Sequence, residues 1–461
     1  MLITNAEIDA ERTVDVRIVH GTIAAIGALA PNPGEPALEA GGGALLPGLN
    51  DHHLHLMSFA ASLQSVQCGP PAVTNEATLV SALRARRPAD GWIRGFAYHE
   101  SVAGDLDRDR LDRYVPDVPV RIQHRSGRLW ILNSAALERL AAASTDHGSL
   151  PSDGRLYDFD ATLRVLVGAS LPPLRAASER LAAYGVTGFS DMTHTNTNDA
   201  LRLFGALTRD GTVRQRVRLA GTLELDRSLE SERLRVGATK VHLHETSLPS
   251  FDHLCSLIGA SHAVPRAVAI HCVTETELVF AVEAFRTAGP RAGDRIEHAS
   301  VTAAPLLESL RELGLLVVTQ PNFVAERGDA YLADLSVDIH ADLYRCRSFL
   351  DHGIPLAGGT DAPFGGADPW RAMSAAVSRR TASGASLGPD ERLTPEQALA
   401  LFTGSLESPA RPRRLAIGDD ADLCLLDRPW SQARAQLSSD CVRATLVAGE
   451  SIFDRVDQSP R

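Results

Sequence analysis

The run Asp51-His52-His53-Leu54-His55 sets two imidazoles two residues apart. In an extended strand such residues share a face, so His53 and His55 can grip one metal ion from the same side. Three further apolar runs close on residues of the same kind: AIHCV carries His271, RIEHAS carries His298, and LAGGTDAP carries Asp361. Neutral imidazoles and a carboxylate form a donor set suited to zinc and related divalent ions. Gly358 and Gly359, just before Asp361, allow close backbone approach at that point.

A fifth run, TKVHLHE, holds Lys240, the only lysine of a chain whose 46 basic residues are otherwise arginine. On a strand Lys240, His242 and His244 share one face, and Val241 and Leu243 the other. An exposed cation can be either residue type, but only a buried lysine amine can lose its proton and become a nucleophile or ligand. Lys240 is therefore a candidate for chemistry beside a metal, where a permanent positive charge would be repelled.

Strands ending at one rim must bring these groups together. Nine runs have strand texture: ALLPGLNDHHLH, VPVRIQHR, GVTGFSDMT, VRLAGTLE, TKVHLHE, AVAIHCV, RIEHAS, GLLVVTQP and IPLAGGTDAP. They alternate with helical stretches such as PPLRAASERLAAYG, ETELVFAVEAFRTAG and APLLESLRELG, where glycine marks helix ends. Such alternation predicts βα units and a parallel sheet. The expected fold is α/β, a TIM-type (β/α)8 barrel, for which nine strands are one too many. Active sites of such barrels lie at the carboxyl ends of the strands.

Both chain ends read differently. ITNAEI, VDVRIVHG and TIAAIG at one end, and DDADLCLLD and CVRATLVAGESIFD at the other, are short alternating strands broken by glycine. The domain expectation is a small composite β-sandwich from residues 1–46 plus 411–461, and a barrel from 47–410 with an insertion at about 57–180. The terminal DQSPR is expected to fray. A net charge of −11 with scattered arginines offers no basic stripe for nucleic acid. The start lacks a signal-peptide pattern and no apolar run is long enough to span a membrane, which predicts a cytoplasmic protein. Six dispersed cysteines without a CxxC pair fit reduced thiols. A homo-oligomer is left open.

With these residues in view, the sequence resembles the metal-dependent amidohydrolase superfamily, and within it the amidohydrolase family 3 branch. Pro47-Gly48-Leu49-Asn50-Asp51-His52-His53-Leu54-His55 is similar to the family signature PGFIDxHxH, Asn50 standing at an apolar position. Lys240 falls where the family has a carboxylated strand lysine, His271 and His298 where it has further metal histidines, and Asp361 where it has a final-strand aspartate. The segment HRSGRLWILNSAAL is also similar, although Ser126-Gly127-Arg128 replaces a frequent Gly-His.

The resemblance implies two divalent ions, zinc in most members. His53, His55 and Asp361 would hold one, His271 and His298 the other, with N6-carboxylated Lys240 bridging. It implies hydrolysis of an amide-type C–N bond (amide, formamide, carbamate or cyclic amide) of a small molecule by a metal-bridged hydroxide, Asp361 shuttling the proton. Candidate substrate contacts are Tyr98, His124, Arg125, His244 and Asn322, with His99 and Gln320 comparable and His242 a deeper support for Lys240. A mononuclear deaminase or related hydrolase, pairing His271 with Glu275, is the alternative. A non-catalytic binding protein on the same scaffold is a third reading, opposed by the intact ligand positions.

Overall fold

A computed structural model describes residues 1–143, 150–168 and 171–455. DQSPR lies outside the described residues. The chain divides into two compact units, one of Met1–His55 with Ser178–Arg461, the other of Leu56–Ala177.

The first unit is built on eight parallel strands: β1 (Leu49–Leu54), β2 (Val186–Asp191), β3 (Arg216–Gly221), β4 (Leu234–His242), β5 (Val268–Cys272), β6 (Arg295–His298), β7 (Leu316–Thr319) and β8 (Leu356–Gly358). Neighbours in sequence are neighbours in space, from β1 through to β8. Both faces of such strands are covered, so they read as nearly continuous apolar runs, with every residue of β1, β2, β6 and β7 buried.

The barrel closes where the chain leaving β8 meets β1. Asp361 N donates to His53 O at 2.7 Å and His55 N to Ala362 O at 2.9 Å. The buried Asp51 carboxylate accepts from Thr360 N at 3.0 Å and Thr360 Oγ1 at 2.5 Å, and turns back to His53 N at 3.1 Å. Burial lifts its pKa to about 7 even against those hydrogen bonds. Gly359 permits the approach, since a Cβ there would lie 2.6 Å from His53 Cβ and 2.7 Å from His53 N.

Helices return the chain between strands. Thr274 and Glu277 form a reciprocal capping box that starts Glu275–Ala288, and Gly289 at φ +82° ends it. The strands of the chain ends form two four-stranded sheets. One joins Leu2–Ile8, Arg12–Val19, Thr22–Gly27 and Ala37–Glu39; the other joins Leu45–Pro47, Leu423–Leu426, Val442–Val447 and Glu450–Asp454. Ile3, Ile8, Val16 and Ile23 of the first share one apolar core with Leu45, Leu423, Leu425 and Leu446 of the second, which makes the pair a β-sandwich. Arg216 of β3 ties to it through Asp422, Nε to Oδ2 at 2.6 Å.

The ninth strand-like run is accounted for by the second unit. VPVRIQHR supplies Val120–His124 to a five-stranded sheet ordered Arg155–Tyr157, Leu129–Leu132, Val120–His124, Ile93–Tyr98 and Val66–Gln67. Strand texture alone could not exclude it from the barrel, because a half-buried strand in either sheet has the same composition. No helix among the described residues is long and apolar enough to cross a membrane.

Gly359→Ala is expected to lower stability by about 1–3 kcal/mol, the usual cost of overpacking a closed core. Gly205→Ala, inside the helix Asn198–Arg209 where the new Cβ would meet nothing nearer than 3.6 Å, should be neutral or stabilising by up to about 1 kcal/mol. Urea unfolding midpoints compare the two, and equal midpoints would contradict the closure.

Candidate metal centre

Closure brings three donor atoms to one point. His53 Nε2 lies 3.5 Å and His55 Nε2 3.2 Å from Asp361 Oδ1, and the ligand atoms of the three residues lie within 4.8 Å of one another. Tetrahedral coordination at ~2.1 Å bond lengths separates ligand atoms by about 3.4 Å, so this group could hold a metal ion. Imidazole rings continue the cluster around the rim. His298 lies 4.7 Å from His53 and 4.4 Å from His271, between ring centroids. His271 in turn lies 4.2 Å from His242, its register partner on β4.

Each of three histidines is oriented through its other nitrogen. His53 Nδ1 donates to Glu297 Oε2 at 2.5 Å, His298 Nδ1 meets Gln320 Oε1 at 2.7 Å, and His55 Nδ1 meets Thr193 Oγ1 at 2.9 Å. In the tautomer with Nδ1 donating to these oxygens, Nε2 keeps its lone pair for the centre. Glu297 is itself held by Arg295, whose guanidinium also donates to His52 O at 2.8 Å. Burial depresses His298 to about 3, helped by His53, and lowers His53 as well. Neutral rings are what metal ligation requires. Burial alone would raise the Asp361 carboxyl, but the hydrogen bond with His55, with the neighbouring His53 and His298 rings, holds it below the ordinary range.

Two of these residues depend on left-handed backbone. His298 follows Glu297 directly, and strict alternation would send the two side chains to opposite faces. At φ +70° the chain turns at the end of β6, so Glu297 supports His53 while the His298 ring still reaches the cluster. Asp361, at φ +56°, turns likewise beyond β8. Non-glycine residues held in this region cost of order 1–3 kcal/mol each, a strain typical of functional sites.

Lys240 lies on β4 with Nζ buried and without a hydrogen-bond partner, its side chain among the charges of Glu297, Arg295 and Asp361. Burial, with Arg295 adding to it, lowers its pKa to about 8 against the pull of Glu297 and Asp361. An unsatisfied buried amine is costly as it stands and fits a site completed by another group.

The expected support from His242 is not there. The ring is exposed at the rim, stacked with His244 at 5.6 Å and edge-on to His194 at 5.0 Å, and Lys240 Nζ makes no bond to it. The reason is that β4 ends at His242; His244 begins a 3-10 turn at Glu245–Ser247, half-buried, one step beyond the strand. Asn322 is buried at the start of the helix Asn322–Asp334, its Nδ2 donating to Thr360 O at 3.1 Å, so it braces the end of β8. Gln320 is likewise taken up by His298. Glu275 is exposed at a helix start; Glu277 is the buried glutamate there, accepting from Val273 N.

Tyr98, His124 and Arg125 lie in the second unit. Tyr98 is buried in that unit's core and its hydroxyl donates to Gly104 O at 2.6 Å. His124 bonds Ser126 and Glu100 there, and His99 caps the short helix Glu100–Ala103. Sequence reasoning passed over Glu297, Thr193, Arg295 and His194. The triplet Arg295-Ile296-Glu297 did carry a signal, two opposite charges on one face of a strand otherwise fit for burial.

The family model described as "Amidohydrolase family" matches residues 37–453. The chain belongs to the amidohydrolase family. It is 25% identical to the N-substituted formamide deformylase of Arthrobacter pascens, across 99% of this chain and 98% of that one. Among solved structures it is similar to an uncharacterized metal-dependent hydrolase of Pyrococcus horikoshii OT3, with a TM-score of 0.74, 22% identity and coverage of 95% and 99%. It is also similar to N-isopropylammelide isopropylaminohydrolase of Burkholderia multivorans, with a TM-score of 0.56, 18% identity and coverage of 98% of each chain. This amidohydrolase is thus an enzyme that hydrolyses carbon–nitrogen bonds other than peptide bonds, on a barrel with a His-His-Asp group able to hold a metal.

Thr193→Val keeps the shape of the side chain and removes the group that orients His55. In this amidohydrolase it is expected to weaken metal affinity about 10- to 100-fold, with stability changed by less than about 1 kcal/mol. Competition with a metallochromic chelator measures the first; an unchanged affinity would contradict the orienting role.

Proposed function

We propose that the protein hydrolyses an amide-type C–N bond of a small molecule, an amide, formamide, carbamate or cyclic amide, using two divalent ions of which zinc is the best fit. The observation that carries this reading is the buried, unpartnered Lys240 amine beside the histidine cluster. A neutral amine can add carbon dioxide, forming an N–C bond and releasing one proton, to give an anionic carbamate with two oxygens. Arginine could not do this, nor could a lysine held fully protonated.

In this reading His53, His55 and Asp361 would hold one ion and His271 and His298 the other, with carboxylated Lys240 as a further anionic ligand. The ions, when bound, supply Lewis acidity and make a water molecule acidic enough to attack at neutral pH. Asp361 has one oxygen facing the two imidazoles, and the other is left to carry a proton. Asp361 then takes the proton of the attacking water and hands it to the departing nitrogen. His244 and His242 stand at the rim, where a substrate oxygen or nitrogen can be hydrogen-bonded. The name of the Arthrobacter relative supports testing formamides first. A soluble cytoplasmic enzyme is part of the same proposal.

Screening N-acyl, formamide, carbamate and cyclic amide compounds against zinc-loaded enzyme tests the reaction. Asp361→Asn is expected to lower kcat by at least about 100-fold, the low end for loss of a general acid–base. Lys240→Ala should reduce the metal content from about two ions per chain and abolish most activity, with partial rescue by a short carboxylic acid. One ion per chain in the wild type, or full activity in Lys240→Ala, would favour the mononuclear reading instead.

A further inference from the structure

We propose that Arg327 is the residue that selects substrates bearing a carboxylate next to the scissile C–N bond. The inference rests on the amide-hydrolase reading above and names its substrate class. Arg327 lies on the helix Asn322–Asp334 that follows β7, one turn beyond Phe323. Its guanidinium stacks over the Phe323 ring, 3.9 Å from Cζ to the centroid, and Nη2 donates to Phe364 O at 2.7 Å. Phe364 is adjacent to the metal centre on both counts available to it. Its amide donates to Asp361 O at 2.7 Å, and its ring meets the His55 ring edge-on with centroids 5.5 Å apart. The guanidinium is thus tied to the residue whose ring meets His55, and the charge of Asp361 acts on it.

A guanidinium has five N–H donors, and here one is used. The side chain is half-buried, yet no carboxylate pairs with it. Glu326, the nearest acid in sequence, is turned elsewhere: Oε1 accepts from Gly366 N at 3.0 Å. Burial opposes its charge, but Tyr331, Tyr344, Asp361 and Glu326 more than offset it without bonding the guanidinium, and the stacking on Phe323 fixes its plane. Fixing the plane is what bidentate recognition of a planar oxyanion needs. Structural arginines of this chain look different. Arg379, fully buried, spends its donors on Tyr344 O, Leu343 O and Leu387 O, and Arg295 is spent on Glu297 and His52 O. Of the three, only Arg327 has both Nε and Nη1 uncommitted.

The test compares N-formyl and N-acetyl amino acids with their methyl esters, which differ only in the negative charge. Wild-type enzyme is expected to favour the acids in kcat/KM by at least about 100-fold, corresponding to a charge-assisted contact of ~3 kcal/mol. Arg327→Met should erase that preference mainly through KM, and Arg327→Lys should keep part of it. Equal loss on acids and esters, or a wild-type preference for esters, would overturn the inference with the hydrolase reading intact. Calorimetric binding of N-acetylglycine to zinc-loaded protein separates the two claims. Binding that Arg327→Met removes, without hydrolysis of any compound, supports the anion site and sinks the amide reaction; no binding and no preference overturn the inference.

Discussion

The meeting of β1 with the end of β8 is the constraint on which the site depends. His53 and His55 come from one end of the barrel sequence and Asp361 from the other, and no local geometry could bring them together. What does so is a short set of bonds across the seam: Asp361 N to His53 O, His55 N to Ala362 O, and the Asp51 carboxylate to Thr360. The same backbone contact that closes the barrel places the carboxylate against the two imidazoles. Fold and candidate metal site are one structural event here, which explains a buried aspartate and a glycine with no room for a methyl group at the same seam.

Around that seam the remaining groups act as supports rather than as ligands. Glu297, Gln320 and Thr193 each occupy the Nδ1 of one histidine and thereby decide what its Nε2 can do. Arg295 compensates the charge of Glu297, a buried pair that would be costly if either member were removed. The resulting interior is polar at the rim and apolar behind it, and Lys240 sits at the boundary with a depressed pKa and no partner. The amine chemistry proposed for it rests on that position, not on its rarity in the chain.

Much of this was legible in the sequence. Types and spacing identified the barrel, His53 with His55, the strand-end positions of His271, His298 and Asp361, and the unusual status of Lys240. The illegible parts share a physical cause, that strand alternation breaks down where strands end. His298 reaches the cluster beside Glu297 because its φ is positive, which a one-letter pattern does not encode. His242 was expected deep and is at the rim because β4 stops there. VPVRIQHR was one strand too many because a half-buried strand reads alike in two different sheets. Tyr98 resembled a pocket residue, yet its hydroxyl is satisfied by a carbonyl six residues away.

The account turns on Lys240 becoming an anionic ligand. The most direct measurement is carbon-13 NMR of the metal-loaded protein prepared in labelled bicarbonate. The account predicts one protein-bound carbamate signal per chain, present in the wild type and missing from Lys240→Ala. A fully metal-loaded, active wild-type enzyme without that signal would contradict it.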